Sequence, residues 1–96
     1  MSHLTLASST GRPLRPLVEA ALQNELRLLE AGLKRSEHRL QDFETRHGMA
    51  TNEFIQHYEN DELSETLEFA EWIGEARLIE RLKEKVQILR GVQFAD

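Results

Sequence analysis

Few side chains in this sequence stand at spacings that do chemistry by themselves. Glu44 and His47 form a Glu-x-x-His step, which sets a carboxylate and an imidazole on one helical face. Di-iron bundles use two such steps with two further glutamates. Here His47 abuts Gly48 at a helix end, and no second acid stands at the matching place on the last helix. His3, His38 and His57 do not fall at i,i+4 metal spacing with one another. Cysteine is absent, which removes thiolate ligands and disulfides and fits a reducing cytoplasm. Gly-rich phosphate loops, a nucleophile elbow and a Ser/His/Asp arrangement are missing as well. The expectation is a chain that is not an enzyme and carries no cofactor or metal.

Recognition chemistry is better represented. Between Gly48 and Ala76 lie eight carboxylates, Glu53, Glu59, Asp61, Glu62, Glu65, Glu68, Glu71 and Glu75, without a single Lys or Arg. The formal net charge of −5 is therefore an acidic block set between two mildly basic segments. Phe54, Tyr58, Phe69 and Trp72 are interleaved with those acids. A clustered acidic and aromatic segment suits a basic partner and disfavours non-specific binding of nucleic acid by the whole chain.

The elements that must position this segment follow from the composition. At 96 residues and 11.1 kDa there is material for one small domain. Only 5 Gly and 2 Pro, with many Leu, Glu and Arg, indicate an all-α chain. Residues 1–16 read as an irregular lead-in, in which His3-Leu4-Thr5-Leu6 alternates as a short strand does. Residues 17–92 read as a helical domain and residues 93–96 as a tail. Pro16 opens a helix from about Leu17, and Gly48 caps it in a left-handed turn after Arg46-His47. Taking Leu22, Leu29, Ser36 and Phe43 as heptad d positions puts Leu26, Leu33, Leu40 and His47 at a. Thr51 is placed to cap a short helix to about Asn60, and Ser64 to cap a third helix over about 65–90. The architecture expected is long–short–long, an antiparallel helical hairpin. Its two apolar stripes exceed what one hairpin covers, so a homodimer through Leu22, Leu26, Leu29, Leu33, Leu40 and Phe43 is expected, as a coiled-coil or four-helix assembly. Ser36 would interrupt that seam and fix its register.

Several runs resemble a known family. They are Leu29-Glu30-Ala31-Gly32-Leu33-Lys34-Arg35, the junction Arg46-His47-Gly48-Met49-Ala50-Thr51-Asn52-Glu53-Phe54, the turn Asn60-Asp61-Glu62-Leu63, and Phe69-Ala70-Glu71-Trp72. Together they resemble the small helical antitoxins of prokaryotic two-gene toxin–antitoxin modules, TumA-like proteins paired with a RelE-like ribonuclease toxin. In that family glycine is frequent where Asp61 stands here. The resemblance spans about residues 17–92 and implies a cytoplasmic protein that neutralises a cognate toxin by binding it.

A toxin that handles RNA needs a basic surface, which clustered carboxylates complement. On that reading Phe54, Tyr58, Phe69 and Trp72 are the anchors, and Glu62, Glu68, Glu71 and Glu75 the charges, of a toxin-binding face, although Phe69 and Trp72, three apart on the third helix, also read as core. Antitoxins of this kind often repress their own promoter. For DNA this chain offers Arg12 and Arg15 in the lead-in and Arg77, Arg81, Lys83 and Lys85 near its end. The strand-like 3–6 segment holds no Arg, Lys, Asn or Gln, the side chains that read bases by paired hydrogen bonds. No apolar run reaches the roughly 18 residues of a membrane span. The residues alone fit a second reading equally, a helical homodimeric adaptor with no toxin partner.

Overall fold

The computed structural model describes residues 2–94, and those residues form helices and connecting segments with no strand among them. The long–short–long order holds, as α1 (Arg15–His47), α2 (Thr51–Glu59) and α3 (Leu67–Arg90). The strand-like residues 3–6 stay irregular.

Each boundary has a local cause. Pro16 occupies the first turn of α1, where its missing N–H costs no hydrogen bond. Gly48 ends the helix at φ 60°, ψ 35°, and the Met49 N–H returns to the Glu44 carbonyl at 3.2 Å. Thr51 is the first residue of α2 instead of its cap; extended Ala50 precedes it. The Thr51 N–H is satisfied by the Glu44 carboxylate at 2.7 Å, so a side chain from the last turn of α1 caps the start of α2. The end of α2 is a Schellman turn, with Glu62 N–H on the His57 carbonyl and Asp61 N–H on that of Tyr58. Asp61 takes the left-handed conformation this turn requires, at φ 55°. For α3 the cap is Thr66, whose hydroxyl accepts the Phe69 N–H at 3.1 Å, so Ser64 and Glu65 lie outside the helix.

α3 runs back along α1. Contacts near the start of α3 fall at the end of α1 (Glu68 on Arg46 and His47), whereas Arg90 reaches Glu30 at 2.5 Å. The heptad d residues Leu29, Ser36 and Phe43 are the buried residues of α1, and Ala76, Ile79 and Val86 are among those of α3. The regular leucine spacing thus serves the hairpin itself. Where α2 folds over the closed end, Phe43, Phe54, Trp72 and Ile73 form the core cluster, rimmed by Leu40, Met49, Ile55, Tyr58, Leu63 and Phe69. The molecule measures 60 × 24 × 19 Å with a radius of gyration of 19.1 Å. A compact domain of this length has a radius of gyration near 12.5 Å, so the hairpin is a rod with an aromatic head.

Candidate protein-interaction surface

Trp72 organises the head. It is fully buried, as is Phe54, and their rings stack at 3.9 Å with an interplanar angle of 1°. Phe43 stacks on Trp72 at 5.6 Å, and His47 lies over it at 5.4 Å. The indole N–H donates to the Thr51 hydroxyl at 3.1 Å, which satisfies the one polar atom that burial of Trp would strand. Three helices therefore meet on one indole ring.

This placement corrects the expected anchors. Phe54 and Trp72, both 0% exposed, hold α2 onto the hairpin and present nothing to a partner. Phe69 is half-buried, edge-on to His47 at 5.3 Å, and Tyr58 is half-buried against Phe54. The Glu44/His47 step also finds its use here: Glu44 caps α2, and His47 packs between Phe69 and Trp72 with its Nε2 at 3.3 Å from Glu68. That distance is an electrostatic contact without hydrogen-bond alignment, and the buried Nε2 has no hydrogen-bond partner. Among the described residues no three His, Asp or Glu side chains converge closely enough to hold a metal.

The acidic block divides in two. Glu75 is 8% exposed and lies 3.4 Å from Arg39 on α1. Glu68 is half-buried, paired with Arg46, which itself sits over the Phe43 ring. These two carboxylates fasten α3 to α1. The others, Glu53, Glu59, Asp61, Glu62, Glu65 and Glu71, are exposed. Glu62 is bonded to His57, and Glu53 lies 4.0 Å from the same ring. No ion pair involves Glu59, Asp61, Glu65 or Glu71 among the described residues.

The exposed apolar side chain among these acids is Leu67, in the first turn of α3 and 77% exposed. Glu71 follows one turn later on the same face. Attention to aromatic residues passed over Leu67. Its phase gives it away, since Leu67 falls off the stripe formed by Phe69, Trp72, Ile73 and Ala76. The surface that emerges runs from the end of α2 through the turn to the start of α3: Glu59, Asp61, Glu62, Glu65, Leu67 and Glu71.

The remaining expectations sort by burial. Leu29 and Phe43 of the expected dimer seam are covered by the chain's own α3, and Leu22, Leu26, Leu33 and Leu40 are half-buried. Arg15 pairs with Glu19 at 2.8 Å and lies over the Phe94 ring, while Arg12, Arg77, Arg81, Lys83 and Lys85 are exposed. No helix among the described residues is long and apolar enough to cross a membrane. Compared with known protein families, with curated proteins and with solved structures, the chain matches none.

Proposed function

We propose that this protein is an antitoxin that neutralises a basic, ribonuclease-type toxin by occupying its RNA-binding surface. The single observation that carries the reading is the exposed acidic face between residues 59 and 71, where Leu67 stands among Glu59, Asp61, Glu65 and Glu71, which have no ion pair among the described residues. Unpaired surface carboxylates gain a partner on binding without first breaking an internal ion pair. Long-range attraction then speeds encounter, and the apolar side chain supplies the part of the contact that salt does not screen.

Two further features support it. The motif runs resemble the antitoxin family over about residues 17–92. Asp61, where that family frequently has glycine, adopts a left-handed φ of 55°, the conformation glycine takes at least cost. Phe54 and Trp72 enter this account as the scaffold that orders the face. Glu68 and Glu75 hold α3 in place.

The test is genetic and then biochemical. A small basic reading frame is expected beside this gene; its product should arrest growth when expressed alone, and this chain, co-expressed, should restore growth and co-purify with that product. A combined Glu59→Lys, Glu62→Lys and Glu71→Lys variant should lose rescue while keeping its helical content. A harmless neighbour, or rescue unaffected by the three reversals, would assign the chain to the adaptor reading instead.

A further inference from the structure

The flank of the hairpin away from the head is incompletely covered. The chain exposes 7800 Å², whereas a compact monomer of its 11.1 kDa mass exposes about 5,700 Å². The excess is more than the roughly 800 Å² that each partner contributes to a standard interface. Part of it lies along a groove of about 400 Å³ between α1 and α3, floored by Gly32, Ser36, Leu78 and Leu82. Leu28, 60% exposed, stands on its lip.

The stripe of α1 that borders this groove is Glu25, Leu28, Gly32, Arg35 and Arg39, spaced three and four residues apart on one helical face. Its chemistry is polar in the directional sense, with an acid at one end, bases at the other and a glycine between. Glu25 and Arg35 have no ion pair among the described residues. Glu25 and Arg39 are equidistant from Gly32, about 10 Å along the helix on either side. A Gly32 Cβ would stand 3.8 Å from the Arg35 guanidinium and from the Leu82 side chain of α3, in ordinary contact, so glycine keeps the floor of the groove low between those two side chains.

We infer that a second copy of this chain occupies the groove, with the two α1 helices antiparallel and crossing at Gly32. A two-fold axis at that point sets Glu25 of each copy beside Arg39 of the other, twice over, so that Arg39, 63% exposed and already 3.4 Å from its own Glu75, bridges two carboxylates. It also carries Leu28, four residues before the axis, onto the partner copy's groove at Ser36, four residues after it. Knob and hole lie on the same face, so one interface satisfies both copies. A parallel pairing sets Glu25 against Glu25 and Arg39 against Arg39 and is disfavoured by like-charge repulsion. The seam differs from the heptad positions, of which Leu29 and Phe43 are buried and Leu22, Leu26, Leu33 and Leu40 half-buried in the chain's own hairpin. It is also separate from the acidic face at the head, so self-association and toxin binding stand or fall independently.

Sedimentation equilibrium of the full chain, with engineered single cysteines in this cysteine-free sequence, tests the proposal. The expected mass is twice 11.1 kDa. Leu28→Lys, at an exposed site, should keep its melting temperature at low concentration and raise the dimer dissociation constant at least about a hundredfold. Gly32→Cys should cross-link the copies under mild oxidation. Leu17→Cys should not, because antiparallel helices hold those positions about 45 Å apart while a disulfide needs Cα atoms within about 7 Å. A monomer at all concentrations up to about 1 mM overturns the proposal. So does a dimer indifferent to Leu28→Lys, or cross-linking at Leu17→Cys as ready as at Gly32→Cys.

Discussion

Thr51→Val isolates the hydrogen bond that lets an indole sit at the centre of the head. Valine keeps the β-branched shape and the backbone N–H that Glu44 caps, and it deletes only the acceptor for the Trp72 N–H. Both partners are buried, Trp72 fully and Thr51 at 9% exposure, so water does not replace the lost acceptor. Stranding a buried donor costs about 1–3 kcal/mol, and the added methyl returns up to about 0.8 kcal/mol, leaving a net loss near 1–2 kcal/mol. With a urea m-value of about 1 kcal/mol/M, at the low end for a small chain, the unfolding midpoint falls by about 1–2 M. Trp72 is the only tryptophan in the sequence, so its fluorescence reports the head directly while far-ultraviolet dichroism reports the helices. The decisive arm is a double-mutant cycle. With Trp72→Phe already present there is no donor to strand, and Thr51→Val should then cost at least about 1 kcal/mol less. Equal costs in the two backgrounds would show that the hydroxyl stabilises the head by some other route.

Other consequences follow from local geometry. Asp61→Gly should stabilise the fold by about 0.5–1 kcal/mol, because the left-handed φ of 55° strains any side chain; Asp61→Val should destabilise it, both read from urea midpoints. Gly74→Ala, in the middle of α3 with open space around its Cβ, should raise stability by about 1 kcal/mol through helix propensity alone. Thr66→Ala should lower it by about 1 kcal/mol by removing the cap on the Phe69 N–H, and Thr66→Ser should restore most of the loss. Leu67→Ala, at a 77% exposed site, should change stability by less than about 0.5 kcal/mol yet weaken toxin binding about tenfold or more in a direct affinity measurement.

The parts of this fold that were legible beforehand are those fixed by local chemistry. A run without breakers, a first-turn proline and a glycine after two basic residues define α1 to within two residues at its start and none at its end. What failed was counting along the chain when the relevant neighbours lie across it. The acidic block looked continuous because the cations that answer Glu68 and Glu75, Arg46 and Arg39, belong to a different helix. By spacing Thr51 is a helix cap and Glu44 half of a Glu-x-x-His step, yet their partners are settled by the fold-back of α2: Thr51 accepts from an indole on α3, and Glu44 caps the following helix. Trp72 and Phe54 read as surface anchors only while that fold-back is ignored. The same heptad spacing that suggests a dimer seam is what a hairpin needs to pack its own second long helix. The leucine heptad alone does not distinguish the two.

The acidic face of residues 59–71 is proposed to bind a basic toxin. The most direct test is the affinity of the purified full chain for the product of a small basic reading frame found beside its gene, titrated at a series of salt concentrations. Wild type should bind with an affinity that falls steadily as salt rises, and the Glu59→Lys, Glu62→Lys, Glu71→Lys variant should bind at least about a hundredfold more weakly at low salt. Equal affinity for variant and wild type, with no dependence on salt, would contradict the account.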